Sequence, residues 1–414
     1  MATIPSISFI PSGYKASKLY SVLPTNGNAD LTVVRNSTAN RINENKLIES
    51  MGINVPLLDY SDSTCPSLLL QPQSTNLITY PLSFDNAYWG KSASSVTSGQ
   101  DFPSVDNPTG AFKLTEDSST DEHRLLAPTV TVVAGVPITH TVYAKAGERQ
   151  WLLLFDAGSF DGGRFFDLKN GVMGGVRNTT PTDSSMEFLS DGWYLCTITT
   201  TPTSTSTRQI IYISNADEVF NYTGDGSSSL DIFGAQLEQL SYATSLMLPA
   251  VEGSTTTRLK DEVSKSGLSS EINSVEGTLF VEMAALDDSL TFRYITISDG
   301  TDTNRIILRY YTISNKIQCN IIIGGVLDSS LSYDTDITDF HKIAVKWKTN
   351  GTSLWVGGLE IITNLTSSTF PVNSLSAINF ANTSQSGAFL EAKLKQLHVY
   401  KTALSDTKLA ELTS

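Results

Sequence analysis

Histidine is the side chain best suited to acid–base chemistry at neutral pH, and this sequence keeps its four histidines far apart: His123, His140, His341 and His398. No pair has the His-x-x-x-His or His-Glu-x-x-His spacing that places two imidazoles on one metal ion. The sequence also lacks a Gly-x-Ser-x-Gly elbow, a P-loop and a Gly-x-Gly-x-x-Gly loop. We therefore expect a protein that is not an enzyme, although a Ser-His-Asp triad could still assemble from distant segments.

Carboxylate pairs are the next candidates, because glycoside cleavage needs two carboxyl groups on opposite sides of one bond. Asp287-Asp288 and Asp217-Glu218 are adjacent in the sequence, and adjacent strand positions point to opposite faces of a sheet. Neither pair is a convincing acid and nucleophile. We expect both to be solvated turn residues, since turns commonly use Asp.

Calcium takes oxygen ligands from Asp side chains and loop carbonyls, and residues 299–304 and 334–339 are rich in both. Neither stretch matches the calcium loop that ends in Glu. Polar hairpin tips have the same composition. We therefore expect no metal ligand and no cofactor.

Glycan binding needs exposed aromatic rings, because the C–H faces of sugars pack on them while nearby polar groups bind the hydroxyls. Trp193 and Trp347 lie in strand-like runs beside apolar residues, which is typical of the core. Tyr88 and Trp89 lie in a polar, loop-like stretch, and Trp355 comes shortly before a Gly-Gly pair that could form a turn or bulge. Tyr88, Trp89 and Trp355 are therefore the predicted glycan-binding residues.

Composition limits the classes of partner. The chain has 414 residues, 40% of them hydrophobic and 17% charged, which suggests roughly two or three folded domains. Its net charge is −14 and no stretch concentrates Lys and Arg, so nucleic acid and anionic membranes are disfavoured partners. No apolar run approaches the ~18 residues of a membrane-spanning helix, so we expect no membrane insertion. The N-terminus lacks a secretory pattern, which favours synthesis in the cytoplasm.

Three cysteines lie far apart, at Cys65, Cys196 and Cys319. Their spacing fits neither a zinc site nor a disulfide framework. We therefore expect three separate thiols.

Short strand-like runs separated by turn residues fill most of the chain. Residues 193–200 alternate apolar and polar side chains, as in a sheet with one buried face, and Asn170-Gly171 is a two-residue hairpin signal. Helical periodicity is almost absent until Ser405, which can cap a short helix over 406–412. The pattern predicts an all-β protein with two tandem jelly-roll β-sandwiches.

Shifts in composition suggest the domain boundaries. Residues 1–65 are rich in turn formers and contain only short apolar pieces, which predicts an extended segment that anchors or oligomerises the protein. The first jelly roll is predicted at 66–252 and the second at 273–414. Between them, residues 253–272 are rich in Ser, Thr, Lys and Glu and are predicted to form a linker.

An ordered series of short motifs runs from residue 35 to residue 77. The motifs are Arg-Asn-Ser-Thr-Ala-Asn-Arg at 35–41, Leu-Ile-Glu at 47–49, Pro-Leu-Leu-Asp-Tyr at 56–60, Pro-Ser-Leu-Leu-Leu at 66–70 and Gln-Ser-Thr-Asn-Leu at 73–77. Together they resemble a recurrent segment of tailed-bacteriophage fibre, spike and appendage proteins.

The two predicted sandwiches carry weaker likenesses. Phe-Gly-Ala-Gln-Leu-Glu at 233–238 is similar to the last strand of a carbohydrate-binding-module-like jelly roll. Motifs at 276–281, 340–345 and 394–400 resemble a concanavalin A-like, laminin-G-like jelly roll. Such sandwiches serve lectins, enzymes and spacers alike, so they do not by themselves specify a function.

The resemblance implies a structural component of a bacteriophage virion: a head fibre, spike or tail appendage exposed on the particle surface. It implies weak multivalent binding of host-surface glycans, a homotrimer, and attachment to capsid or tail proteins through the N-terminal segment. Three alternatives stay open: a polysaccharide depolymerase acting as glycosidase or lyase, an inert capsid decoration protein, and a bacterial surface adhesin.

Overall fold

The computed structural model describes residues 4–158, 160–382 and 388–414, and in these ranges the chain forms strands, turns and one helix at its C-terminal end. None of the described residues belongs to a helix that is long and apolar enough to cross a membrane. The predicted all-β class is confirmed. The strands are, in chain order, β1 (Ile7–Phe9), β2 (Tyr14–Lys15), β3 (Lys18–Leu19), β4 (Leu31–Val34), β5 (Ala39–Ile42), β6 (Ile48–Met51), β7 (Leu57–Asp59), β8 (Ser67–Leu70), β9 (Ser74–Asn76), β10 (Gly90–Ser92), β11 (Ser94–Gln100), β12 (Ala111–Glu116), β13 (Thr120–Asp121), β14 (Arg124–Leu126), β15 (Val130–Thr131), β16 (Ile138–Ala146), β17 (Trp151–Asp156), β18 (Gly162–Asp167), β19 (Val172–Asn178), β20 (Asp183–Phe188), β21 (Trp193–Thr200), β22 (Ser206–Thr207), β23 (Gln209–Ser214), β24 (Tyr222–Thr223), β25 (Ser229–Glu238), β26 (Thr256–Arg258), β27 (Glu262–Ser266), β28 (Gly277–Ala285), β29 (Arg293–Ser298), β30 (Arg305–Tyr310), β31 (Lys316–Ile323), β32 (Val326–Asp334), β33 (His341–Trp347), β34 (Thr352–Val356), β35 (Leu359–Asn364), β36 (Ala377–Asn379) and β37 (Ala392–Tyr400).

The chain divides into two compact units, each built from separate stretches of sequence. Unit 1 comprises Met1–Thr38, Met51–Pro72 and Leu259–Ser414, and unit 2 comprises Ala39–Ser50 and Gln73–Arg258. Each unit is a β-sandwich whose two main sheets enclose a hydrophobic core.

In unit 1, one sheet has the strand order β2-β3-β4-β27-β36-β29-β30-β31-β32, and the other has the order β35-β34-β33-β28-β37-β8-β7, with β1 also pairing with β37. Every strand pair in these sheets is antiparallel, so alternate side chains point into the core. The core between the sheets includes Leu279, Val281, Leu308, Ile343 and Val399, none of which is exposed.

The N-terminal stretch predicted as a separate extended segment, 1–65, is instead divided between the two units. β1 pairs with β37, with Ile7 opposite Val399, and β4 pairs with β27. Ile7, Phe9 and Leu31 are fully buried in the core of unit 1. The apolar pieces of this stretch are short because each supplies a single strand to a sheet whose other strands come from distant parts of the chain.

The stretch predicted as a linker, 253–272, also contains strands. β26 pairs with β9 in unit 2, and β27 lies between β4 and β36 in unit 1. Val263 is the buried hydrophobic residue of β27. Backbone hydrogen bonds to neighbours on both sides hold β27 in the sheet, so the strand needs only one buried apolar side chain. Its sequence therefore has the composition of a linker although it forms a strand.

Unit 2 has two six-stranded sheets, ordered β10-β14-β23-β17-β18-β19 and β11-β12-β25-β16-β21-β20. Leu152, Phe166 and Ile211 from the first sheet pack against Val142 and Ile198 from the second. The hairpin predicted at Asn170-Gly171 is present between β18 and β19, but its loop comprises the four residues 168–171 instead of two. Gly171 has a φ of 67°, in the left-handed region that favours glycine.

The helix α1 (Asp406–Thr413) ends unit 1 and confirms the predicted cap. The hydroxyl of Ser405 accepts a hydrogen bond from the backbone N–H of Lys408 at 3.3 Å, and Asp406 lies in the first turn, at the positive end of the helix dipole. Leu409 packs with Phe280 and Trp355 in a cluster outside the main core. The helix therefore covers part of the outer face of the sheet that contains β28 and β34.

A buried ion pair joins distant segments of unit 1. The Nη1 atom of Arg35 lies 2.8 Å from Oδ1 of Asp261, and both side chains are at most 1% exposed. Arg35 Nη2 donates to the carbonyls of Gly52 and Val55, each at 3.0 Å, and Asp261 Oδ2 accepts from the backbone N–H of Gln71 at 3.0 Å. One guanidinium–carboxylate pair thus connects residues from all three stretches of the unit.

Replacing Arg35 with Met keeps much of the side-chain volume but removes the guanidinium from the buried pair with Asp261. We expect Arg35→Met to lower the free energy of unfolding of unit 1 by about 3–5 kcal/mol. Urea denaturation followed by hydrogen–deuterium exchange of peptides from β28 and β33 measures this unit separately. Lys408→Ala breaks the exposed pair with Glu411 and is the control, with an expected change below about 1 kcal/mol. Equal effects of the two variants would contradict the assigned role of the buried pair.

Candidate functional site

Two of the three predicted glycan-binding residues are core residues. Trp89 is 1% exposed, and its Nε1 donates to the carbonyl of Tyr80 at 2.9 Å. Trp355 is 5% exposed and lies in the cluster covered by α1, where its Nε1 donates to Oγ of Ser353 at 3.0 Å. A buried ring offers no face to a sugar, so both residues are corrected from binding to packing roles. The polar loop folds Trp89 back onto Phe84, with ring centroids 5.0 Å apart.

Tyr88, the third predicted residue, is half-buried. Its ring centroid lies 5.3 Å from that of Tyr80 and 5.6 Å from that of Trp89. Burial raises the pKa of its hydroxyl above the ordinary value. A role for Tyr88 in glycan binding stays a prediction.

Among the histidines, His140 has a carboxylate neighbour inside the core of unit 2. Its Nε2 lies 3.6 Å from Oδ2 of Asp156, and neither side chain is exposed. Asp156 accepts hydrogen bonds from Thr200, at 2.6 Å, and from Thr207. A histidine, an aspartate and two hydroxyls thus meet, but no substrate can reach groups that are fully buried, so the cluster is a structural network.

The ionised form of Asp156 is stabilised by these neighbours. Burial by itself would raise the pKa of the carboxyl group, but the nearby imidazole and the two hydroxyls outweigh burial and hold the pKa below its ordinary value. The carboxylate is therefore a buried charge that stabilises the fold at neutral pH.

The carboxylates of the Asp-rich and paired-acid stretches are used in hydrogen bonds, either within a turn or to a neighbouring loop. Asp299 accepts from the backbone N–H and hydroxyl of Thr301, at 2.8 and 2.6 Å, and from Nδ2 of Asn304 at 2.9 Å. Asp288 accepts from the backbone N–H of Asn315 at 3.0 Å, and Asp217 from that of Gly175 at 2.8 Å. Within the described ranges, no group of three or more His, Cys, Asp and Glu side chains could hold a metal ion.

The three cysteines are free, as predicted: Cys65 is exposed, and Cys196 and Cys319 are buried. Burial raises the pKa of Cys319 to about 12, so its thiol stays protonated at neutral pH. Neither buried cysteine is a candidate nucleophile.

The outward surface of β29–β31 carries a set of residues that fits a binding site. Along β30, Ile306, Leu308 and Tyr310 point into the core, so the residues between them point outward. Arg309 is opposite Tyr294 on β29 and opposite Gln318 on β31. We call this surface the Arg309 face; it comprises Phe292, Tyr294, Arg309, Tyr311, Gln318 and Asn320.

Aromatic rings surround the guanidinium of Arg309. Its Cζ lies 4.7 Å from the ring centroid of Phe292, 5.0 Å from that of Tyr311 and 5.6 Å from that of Tyr294. Phe292 and Tyr311 are half-buried, whereas Tyr294 is buried. The face therefore combines a cation with two partly exposed aromatic rings.

Neutral oxygens hold Arg309 in place. Gln318 Oε1 accepts from Nε at 2.9 Å and also from Nη2, and the Tyr294 hydroxyl lies 3.4 Å from Nη1. In the amide orientation that satisfies its neighbours, Asn320 accepts from Nη2 at 3.1 Å and donates to the hydroxyl of Ser330 at 2.9 Å. These contacts orient the guanidinium without cancelling its charge.

A second guanidinium–aromatic cluster lies on the outer face of a unit 2 sheet, and its charges are paired. The Cζ atom of Arg177 lies 3.6 Å from the ring centroid of Phe220 and 5.0 Å from that of Tyr212. Its Nη2 donates to Glu122 at 3.0 Å, and Arg124 forms an ion pair with the same carboxylate. Both guanidinium groups of this cluster have a carboxylate partner, the shared Glu122, which is typical of a structural role.

The Arg309 face was not predicted, although part of its signal is in the sequence. The hairpin between β30 and β31 and the two-residue period together place Arg309 beside Gln318. Phe292 and Tyr311 lie just outside the ends of their strands. Tyr311 is two residues after Arg309 and shares its face by the two-residue period, whereas the contact of Phe292 with Arg309 depends on how the chain enters the sheet, which no local pattern specifies.

No family model and no curated protein matches this sequence. Solved structures that are similar include the CBM40 of the Ruminococcus gnavus IT-sialidase bound to α2,3-sialyllactose, at 13% identity, 34% of this chain, 83% of that chain and a TM-score of 0.28. A heptameric SAP-like pentraxin of Limulus polyphemus matches at 12% identity, 34% of this chain, 71% of that chain and a TM-score of 0.29. Domain 4 of the arabinanase AbnA of Geobacillus stearothermophilus, in complex with arabinotriose, matches at 8% identity, 42% of this chain, 84% of that chain and a TM-score of 0.31. Because these scores are low, the function of this chain has to be inferred from its own residues.

The buried Asp156 network leads to a pH-dependent prediction. Asp156→Asn keeps the shape of the side chain but removes its charge, and we expect unit 2 to lose about 1.5–3 kcal/mol of unfolding free energy at pH 7. The pKa of Asp156 in the folded protein lies below its unfolded value of about 3.9. The stabilisation from the ionised carboxylate is therefore fully present above about pH 3.9 and is lost as the pH falls through the folded-state pKa.

The measurement is the difference in unfolding free energy between wild type and Asp156→Asn from pH 7 down to pH 3. We expect a constant difference down to about pH 4 and a decrease below it. Asp183→Asn, at an exposed position in β20, is the control and should behave as wild type. A difference that does not change with pH would rule out an ionised Asp156 in the folded unit.

Proposed function

We propose that this protein is a non-enzymatic structural component of a bacteriophage virion that displays two β-sandwiches on the particle exterior and binds host-surface glycans at the Arg309 face. The virion role is supported by the motif series from residue 35 to residue 77. The observation that carries glycan binding is the pair of half-buried rings, Phe292 and Tyr311, which lie 5.2 Å apart and both pack against an oriented guanidinium.

The chemistry of the face suits a sugar. Half-buried rings can pack against the C–H face of a pyranose, and the side chains of Gln318 and Asn320 supply hydrogen-bonding groups. Ser330 and Ser332 on β32 are exposed and lie opposite Asn320 and Gln318 in the sheet. Such a shallow polar and aromatic surface binds one sugar weakly, so useful attachment would come from several copies on one particle.

Homotrimer formation and attachment to capsid or tail proteins through the N-terminal segment stay predictions. Strands from that segment form part of unit 1, so an attachment surface there would be a face of the folded unit and not a free tail.

Removing one ring should weaken glycan binding without unfolding the protein. We expect Phe292→Ala and Tyr311→Ala each to weaken binding to host-surface polysaccharide about 2-fold to 13-fold, the loss that corresponds to roughly 0.5–1.5 kcal/mol for one aromatic contact. Affinity electrophoresis in gels containing that polysaccharide measures the change.

Phe188→Ala is the matched control, because Phe188 is 62% exposed and lies in unit 2 without a guanidinium. Equal losses for Phe188→Ala and Phe292→Ala would contradict binding at the Arg309 face. Release of new reducing ends from the polysaccharide would instead favour the depolymerase alternative, and unmeasurable binding would favour inert decoration.

The virion role predicts that the protein is present on particles. An antibody against residues 273–414, detected with gold in electron microscopy, should label purified phage particles. Label on a head vertex or neck would assign a head fibre, and label at the tail end would assign a tail appendage. Particles without label would contradict the virion role whatever the outcome of the glycan experiment.

A further inference from the structure

We infer that the glycan bound at the Arg309 face is acidic and that a carboxylate of the sugar pairs with the guanidinium of Arg309. This inference rests on the proposed glycan binding and adds the chemical class of the ligand. The observation behind it is that, among the described residues, Arg309 contacts aromatic rings and neutral oxygens but no carboxylate, in a chain of net charge −14.

The other arginines of β29 and β30 each have a carboxylate partner. Nε of Arg293 lies 3.3 Å from Glu391, and Nη1 of Arg305 lies 2.5 Å from Asp302. Within the described part of the chain, Arg309 forms no ion pair, although Asp and Glu outnumber Lys and Arg by 42 to 28. A chain with this excess of acidic residues leaves one oriented guanidinium of the face unneutralised.

The contacts of Arg309 leave one side of the guanidinium available. Gln318 and Asn320 occupy Nε and Nη2, whereas the contact of Nη1 is the Tyr294 hydroxyl at 3.4 Å. A carboxylate at Nη1 would receive a charge-assisted hydrogen bond, which is about twice as strong as a neutral one. The neighbouring rings exclude water on one side and strengthen that interaction.

Charge complementarity decides between neutral and acidic sugars. A neutral sugar could use the rings but would leave the positive charge of Arg309 unpaired, whereas a uronic or sialic acid uses both features of the face. The negative charge of the rest of the protein opposes this only weakly at physiological salt, because the screening length there is about 8 Å.

The experiment compares the host-surface polysaccharide with the same polymer after chemical reduction of its carboxyl groups to alcohols. We expect reduction to weaken binding of the wild type about 10-fold to 100-fold, the loss that corresponds to a hydrogen bond to a charged group. Arg309→Gln should weaken binding of the native polymer by a similar factor and should leave binding of the reduced polymer unchanged. Arg309→Lys, which keeps the charge but not the planar fork, should be intermediate.

Arg305→Gln is the matched control, because Arg305 lies on the same strand and already has a carboxylate partner; we expect it to bind as wild type does. Thermal unfolding of each variant verifies that unit 1 is folded. If the wild type bound the native and the reduced polymer equally, and Phe292→Ala weakened binding of both, the acidic-ligand inference would be overturned. Glycan binding at the Arg309 face would still stand. Sensitivity to removal of sulfate or phosphate groups but not of carboxylates would overturn the carboxylate assignment, and no binding of either polymer would overturn glycan binding itself.

Discussion

The ion pair between Arg35 and Asp261 is the interaction on which unit 1 depends. The unit is assembled from stretches more than 200 residues apart in the chain, and its short N-terminal strands pair with strands from the C-terminal stretch. A guanidinium that reaches three segments at once fixes their relative positions. Because the pair is buried, losing either partner removes the opposite charge from a group that is shielded from water, which is strongly destabilising.

Assembly of unit 1 buries the inward side chains of its sheets and leaves the outward side chains to form surfaces. The core of unit 1 takes the inward side chains of β29, β30 and β31, and the antiparallel register then determines which outward side chains become neighbours. One outer face is partly covered by α1, which buries Trp355. On the sheet that contains β30, the guanidinium of Arg309 packs against the adjacent half-buried rings of Phe292 and Tyr311.

The two guanidinium–aromatic clusters differ in whether a carboxylate pairs with the arginine. Both place a cation against rings, but in unit 2 the arginines share the carboxylate of Glu122, whereas Arg309 is hydrogen-bonded to neutral oxygens. Burial makes the same distinction for the acid–base groups: His140 and Asp156 lie near each other but out of reach of any substrate. Charge balance and access to solvent, more than residue type, therefore determine what each cluster can do.

The sequence by itself determined the all-β class, the hairpin at Asn170-Gly171 and the cap at Ser405, because periodicity, turn chemistry and capping act between neighbouring residues. It did not determine that residues 1–65 are divided between the units or that β27 is an inner strand, because those pairings join residues distant in the chain. Burial of Trp89 and Trp355 also depends on what packs over each ring. Only the tertiary structure brought Phe292 to Arg309, since the two residues belong to different segments whose contact depends on sheet register.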